Sequence, residues 1–196
     1  MEFLFAAAII IIIIVVIAKK AGFPSNTIEP EIKRAGRRGE AVAANAIKSV
    51  LQDGDLLFTN VEVSFDNRPA ELDNVIVNQY GVFIIEVKNY KGRLYGTEDD
   101  YEWKKYKDDE YGNTFEKNVK NPIKQVKRQI YILTKYLDYY DSRVWVDGYA
   151  LLIHDNSPVQ SGYILSDTQD IDQAIHTPGR NRLSKQQTEA ISKLLQ

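Results

Sequence analysis

The sequence contains no cysteine. That excludes a disulfide framework, a thiolate zinc site and a cysteine nucleophile, and it is compatible with a reducing compartment. Histidine is nearly as scarce. His154 and His176 are the only two, neither lies in a motif, and both read as structural or surface residues. Two histidines leave little room for a histidine-rich metal site. An excess of positive charge is missing too: the formal net charge of −2 argues against a wholly basic nucleic-acid coat protein, so any nucleic-acid site has to be focal. No internal repeat is found. What remains is a 196-residue chain, 44% hydrophobic, able to bury one good core.

The sharpest compositional break is at the N-terminus. Phe3 to Ala18, "FLFAAAIIIIIIVVIA", is 16 uninterrupted apolar residues. As a helix it spans about 24 Å, slightly short of a hydrocarbon core of about 30 Å. Lys19 and Lys20 can snorkel to close the gap. A cleaved secretory signal is the alternative, but Glu2 stands where a positive charge is expected and no A-x-A site closes the run before the lysines. Residues 1–20 are therefore expected to be a transmembrane anchor. Lys19, Lys20, Lys33, Arg34, Arg37 and Arg38 all follow the run, which predicts a single-pass protein of the cell membrane with its soluble domain in the cytoplasm.

Residues 21–32, with Gly22, Pro24 and Pro30, read as a linker, and 33–196 as the folded domain. From Lys33 to Leu51 the spacing predicts a helix with Val42, Ala46, Ile47 and Val50 on one face, ended by Asp53-Gly54. Three strand-like runs follow, at 55–65, 70–79 and 81–90, the last two joined by a turn too short for a helical crossover. They predict an antiparallel meander. Residues 92–117, rich in tyrosine and charge, read as two or three short outer strands or a hairpin insertion. Asn121 as N-cap and Pro122 at the first helical position open the strongest helix signal, carried by Ile123, Val126, Ile130, Leu133 and Leu137 to about Tyr140. Beyond it, 143–154 reads as a core strand or bent pair, 162–166 as a strand, "IDQAIHT" as a short helix, and Ser184 with Gln187 as a capping box for a last helix.

The stretch "FIIEVKNY" (83–90) carries the chemistry. Glu86 and Lys88 leave one face of this apolar strand, while Phe83, Ile85 and Val87 leave the other. Asp73, in "ELDNVIV" on the preceding strand, is a near neighbour of Glu86 across the ladder. Two carboxylates so close repel unless one is protonated or a cation lies between them. Mg²⁺ suits such hard oxygens, and Lys88 could then orient or deprotonate a metal-bound water beside a phosphate.

Glu40 on a first helix, Asp73 in its strand and "EVK" at Glu86, Val87 and Lys88 together resemble the PD-(D/E)xK nuclease superfamily, and within it the nuclease-related domain, NERD. The resemblance covers roughly residues 34–140, from "GRRGE" to "NPIKQ" and the helix that follows. It implies an α/β fold with a restriction-endonuclease-like αβββαβ core, a central mixed sheet flanked by helices, here preceded by the transmembrane helix. It also implies a Mg²⁺- or Mn²⁺-dependent nuclease, a hydrolase of phosphodiester bonds with DNA as the expected partner, which the apolar run at 3–18 would anchor in the membrane. Asp73 and Glu86 would be metal ligands with the Val87 backbone carbonyl as a third, Glu40 an outer or direct metal partner, Lys88 the catalytic lysine and Gln125 a polar site residue. Leu72 stands where the superfamily's nominal signature has proline.

Blander readings stand beside each element. Glu40 also fits an ordinary first-turn carboxylate favoured by the helix dipole, and Gln125 a solvated helix residue. Lys117, Lys120, Lys124, Lys127 and Arg128 form either a phosphate-binding track or a solvated face. For Trp103 and the tyrosines at 95–111, strand packing is preferred over base stacking. The alternative function is a catalytically silent module of the same fold that binds nucleic acid or protein at the membrane.

Overall fold

A computed structural model of the chain describes residues 31–178 and 182–196. The apolar run at 3–18 and the linker up to residue 30 lie outside these residues. Among the described residues no helix is long and apolar enough to cross a membrane. The chain divides into two units, Met1–Arg34 and Ala35–Gln196. Of the first, only the opening turn of helix α1 is described.

Helix α1 (Glu31–Val50) begins two residues before the expected domain start, so Glu31 and Ile32 are helical. Proline is favoured just before or at the first helical turn, and Pro30 precedes Glu31. The helix buries Ala43 and Ile47, with Ala46 and Val50 partly covered. Val42, expected on the core face, is 56% exposed, because the core stripe is centred one position further round. Gly54 ends the connection with φ 98°.

Strands β1 (Leu56–Phe65), β2 (Arg68–Asn78) and β3 (Gly81–Lys88) form the antiparallel meander that the alternation predicts. Asp66 and Asn67 both take positive φ in the tight β1–β2 turn, as a two-residue hairpin loop requires. Asn78 Oδ1 accepts the Tyr80 N–H at 2.8 Å and locks the next turn. After an excursion of three short strands, β4 (Arg93–Tyr95), β5 (Glu102–Asp108) and β6 (Thr114–Lys120), helix α2 (Pro122–Tyr139) returns the chain to β7 (Val146–Leu152). β7 lies parallel to β3, and β8 (Ile164–Leu165) parallel to β7, giving a mixed five-stranded sheet in the order β1-β2-β3-β7-β8. Helices α3 (Thr168–His176) and α4 (Lys185–Leu194) complete the α/β fold, the latter with the expected Ser184–Gln187 capping box.

Period-two alternation sends the two halves of β3 to different cores. Val82 and Ile84 join Leu133, Leu137 and Ile191 of α2 and α4, whereas Phe83, Ile85 and Val87 join Ile47, Ile171 and Ile175 of α1 and α3. Gly148 lets α2 press on β7, since a Cβ there would lie 2.8 Å from Ile130 Cγ1. The β4-β5-β6 sheet has a core of its own, in which Trp103 packs with Leu94 and Val119 onto Ile123 and Leu152.

One ionic contact ties α3 to the start of β1. His176 Nε2 is 2.9 Å from Asp55 Oδ2 and its Nδ1 is 2.7 Å from Asp172 Oδ1, with the Asp55 side chain only 5% exposed. Burial alone would lower the imidazole pKa, but the hydrogen bonds and charges of the two carboxylates outweigh it and raise the value. A raised folded-state pKa contributes stability that is complete below the unfolded value of about 6.5 and is lost as pH rises through the folded value. His176→Ala should therefore cost about 1–3 kcal/mol at pH 6, where a buried carboxylate loses its cation, and less at pH 9. Urea denaturation at the two pH values checks this, and a pH-independent difference would refute the protonated bridge.

Candidate functional site

β2 and β3 part at one end, and side chains fill the opening. The backbone register runs from Asn78↔Gly81 to Asn74↔Ile85. There Asn74 Nδ2 donates to the Ile85 carbonyl at 3.2 Å, and Asp73 Oδ2 accepts the Val87 N–H at 2.8 Å. Asp73 is able to do this because β2 is rotated locally. Leu72 and Val75, three residues apart, enter the same core cluster, so strict alternation is interrupted between them. On the neighbouring strand Asn60 takes φ 53° at the one position skipped in the β1–β2 register, opposite Asp73. Asparagine tolerates that left-handed conformation better than most residues.

Glu86 lies beside this opening, on the α2 side of the sheet, and is 2% exposed. Its carboxylate is surrounded by donors. Lys88 Nζ and Gln125 Nε2 each approach Oε1 at 2.5 Å, and Gln129 Nε2 donates to Oε2 at 2.6 Å. Gln125 and Gln129 are one helical turn apart on α2, so both amides reach the same strand. Gln129 also donates to the Glu71 carbonyl at 3.0 Å. Burial would depress the Lys88 pKa, but the Glu86 charge and hydrogen bond, with smaller help from Tyr90 and Asp73, raise it. Lys88 is thus an ammonium at neutral pH. The neighbouring Tyr90 hydroxyl is pushed up by burial, with Lys88 opposing.

The structure thus brings Asp73, Glu86, Val87, Lys88 and Gln125 together. The repulsion expected between Asp73 and Glu86 is met here by Lys88 and the two glutamine amides. Glu40 lies on α1 next to Gly39, whose added Cβ would lie 2.7 Å from Asn89 Cβ, so its backbone abuts the exit of β3. The Glu40 side chain lies outside the described residues. The basic residues do not converge on Glu86. Lys127 pairs with Glu98 at 2.7 Å and sits 4.6 Å over the Tyr163 ring, Lys124 is 3.5 Å from Asp99, and Arg128 donates to the Pro69 carbonyl at 2.9 Å. Lys120 is exposed at the end of β6, opposite Glu102.

Packing holds for Trp103, which is fully buried and donates its Nε1–H to the Thr97 carbonyl at 2.8 Å. Tyr95, 54% exposed, packs edge to face on Tyr106 with ring centroids 5.3 Å apart, whereas packing does not hold for Tyr101 and Tyr111, at 89% and 88% exposure. Their strands and loops face solvent on that side, so alternation there does not report a core. His176 is structural, and His154 donates its Nε2–H to Asn89 Oδ1 at 2.7 Å near the site.

Gln129 is the residue that the sequence reading lacks. Its signal was a polar residue at a core position of α2, four before Leu133 and four after Gln125. Its Oε1 is buried with no hydrogen-bond partner. The Asp73 and Glu86 carboxylates supply hard oxygens of the kind that Mg²⁺ or Mn²⁺ takes. The Val87 carbonyl leaves the same edge of β3 as its N–H and so faces Asp73. Among the described residues no three His, Cys, Asp or Glu side chains cluster as metal ligands. Two carboxylates are enough for Mg²⁺, which keeps several waters.

Comparison with known proteins gives two matches. The family described as "NERD: Nuclease-related domain" matches residues 35–153. An uncharacterized protein of Bacillus anthracis is 27% identical over 93 residues, 45% of this chain and 44% of that protein. The chain thus spans less than half the length of that relative. No solved structure matches.

The clamp around Glu86 predicts unequal costs along α2. Gln129→Leu strands a buried carboxylate oxygen and the Glu71 carbonyl, and should cost about 2–4 kcal/mol; Gln125→Leu, at a half-buried position, should cost about 1 kcal/mol. Equilibrium urea unfolding measures both, and equal costs would contradict the clamp.

Proposed function

We propose that this chain, which belongs to the nuclease-related domain family, is a metal-dependent nuclease that hydrolyses phosphodiester bonds in DNA on a restriction-endonuclease-like αβββαβ core. One observation carries the reading: at the place where β2 and β3 part, a buried carboxylate, a second carboxylate and a lysine ammonium meet beside the first two turns of α2, whose Gln125 and Gln129 reach the buried carboxylate. A sheet has no structural need for such a cluster, whereas phosphoryl transfer needs fixed charge around a phosphate.

Asp73, Glu86, the Val87 carbonyl and Glu40 are the proposed ligands of Mg²⁺ or Mn²⁺. When bound, the ion supplies Lewis acidity toward the phosphate and activation of a water. The chain's own residues do the rest. Lys88, held on Glu86, places a positive charge where negative charge develops on the phosphate oxygens. Gln125 and Gln129 fix the Glu86 carboxylate so that it cannot rotate away. Asp73 keeps the strands parted by occupying the Val87 N–H. Phosphate contacts by Lys120, Lys124, Lys127 and Arg128 require exchange of the carboxylate and carbonyl partners that three of them hold.

A second reading has one observation in its favour. Both Glu86 oxygens already carry hydrogen bonds. That satisfied cluster would also suit a catalytically silent nucleic-acid- or protein-binding module of the same fold.

The test is cleavage of labelled single- and double-stranded DNA and RNA with Mg²⁺, Mn²⁺ or EDTA. Asp73→Ala and Glu86→Ala should abolish both metal-dependent stabilisation and cleavage. Lys88→Ala should keep the metal-dependent stabilisation and lower kcat by about 10²-fold or more. Absence of both cleavage and metal binding in the unaltered chain would sink the nuclease reading and leave the binding module.

The apolar run at 3–18 and the basic residues that follow it support a single-pass anchor with the domain in the cytoplasm. A C-terminal reporter active only in the cytoplasm should give signal in the membrane fraction. Recovery of a shortened, exported protein would overturn that topology.

A further inference from the structure

The β4-β5-β6 sheet sorts its charges by face. On the outer face they cancel in pairs: Arg93 with Asp108 at 2.7 Å, Lys104 with Glu116 at 2.9 Å, and the Tyr106 hydroxyl on the same Glu116. On the inner face, which carries Trp103 and Val119 into the core, period-two alternation also places Lys105, Lys107, Phe115 and Lys117. Lys105 stands directly opposite Lys117 across the ladder, and Lys107 opposite Phe115. None of the three lysines has a carboxylate partner among the described residues. Phe115 beside them is 59% exposed.

Like charges directly opposite one another destabilise a sheet, and any neutral residue would remove the conflict. The crowding registers on Lys105, whose ammonium is held below the usual lysine range by burial and by Lys117 and Lys107. Uncompensated cations next to an exposed ring fit a ligand that brings both negative charge and an aromatic face.

We propose that the inner face of the β5–β6 hairpin binds single-stranded nucleic acid, with Lys105, Lys107 and Lys117 on its phosphates and Phe115 stacked on a base. The inference deepens the nuclease reading and rests on it for the choice of ligand. Position supports it. Tyr90, two residues beyond Lys88, packs under this sheet and donates its hydroxyl to the Lys120 carbonyl at 3.2 Å. Gly92 lies so close to the hairpin that a Cβ would meet the Tyr106 carbonyl oxygen at 2.1 Å. A strand held on this face therefore runs beside the exit of β3. A duplex keeps its bases stacked inside, so an exposed phenylalanine among lysines gains a partner only from an unpaired strand.

The experiment uses the full chain in detergent, with EDTA to stop cleavage, and reads anisotropy of a labelled single strand and of its duplex over a salt series. Lys105→Gln/Lys107→Gln/Lys117→Gln should raise Kd for the single strand at least about tenfold and flatten the log–log salt slope by about 2, at roughly 0.7 per phosphate contact. Phe115→Ala should weaken the single strand about fivefold or more, leaving the duplex and the salt slope unchanged. Lys104→Gln, on the outer face, should change neither.

Removing like charges should leave the thermal midpoint unchanged or raised. If the triple variant unfolds early, the single Lys117→Gln replaces it, with a slope change of about 0.7. Unaltered affinity and slope would overturn the proposal. Phosphatidylserine vesicles titrated in parallel give the other arm: a loss of vesicle binding alone, with strand affinity unchanged, would overturn the proposal and assign the face to lipid. Cleavage separates the two readings: an active enzyme whose binding ignores the hairpin overturns this inference alone, whereas hairpin-dependent binding without cleavage under any metal overturns the nuclease reading alone.

Discussion

A carboxylate at 2% exposure in the middle of a sheet has to be matched by donors on every side, and the match at Glu86 dictates where its neighbours can be. Lys88 is available only because it is two residues on and shares the face. Gln125 and Gln129 reach Glu86 only if α2 starts at one place and lies close to the sheet. Asn121 fixes the start: its Oδ1 accepts the Ile123 N–H at 2.9 Å while its Nδ2 holds the carbonyls of Thr97, Glu98 and Asp100. Gly148 fixes the distance, since it leaves room for Val126 and Ile130 against β7. The cap, the missing Cβ and the helix amides thus serve one buried charge.

Much of this arrangement is legible in the sequence. Alternation in "GVFIIEVK" placed Glu86 and Lys88 together, the Asn121-Pro122 pair marked the start of α2, and Ser184 with Gln187 marked α4. These signals are local, each read from a few adjacent residues. The opaque parts depend on contacts made from far along the chain. Val42 and Ala43 differ by one position on a helix, and only the docking direction of α1 decides which is buried. Gln129 looks like any polar residue on an amphipathic helix until Glu71 and Glu86 are known to lie beneath it. The exposure of Tyr95, Tyr101 and Tyr111 depends on where the second sheet ends.

The break at Asp73 was hidden for a different reason. A strand with a local rotation has the same composition as one without, and nothing in "ELDNVIV" announces that Leu72 and Val75 will share a core. Asn60 is the nearest clue, an asparagine with φ 53° in an otherwise β-favouring run, and its effect appears only across the ladder. The rotation turns two ordinary polar residues, Asp73 and Asn74, into substitutes for ladder bonds. The site therefore depends on an irregular backbone as much as on charged side chains.

The clamp on Glu86 is also long-range in the chain: Gln125 and Gln129 follow it by 39 and 43 residues. Contacts of that separation form after local ones, because the intervening loop must first lose its entropy. The β2–β3 hairpin, closed by a two-residue turn, is expected to assemble early with the end carrying Glu86 still hydrated. Desolvation of that carboxylate then waits for α2, whose Ile123 also completes the cluster around Trp103. Late closure ties the integrity of the charged cluster to completion of the whole fold, so a partly folded chain carries the hairpin without the clamp on Glu86.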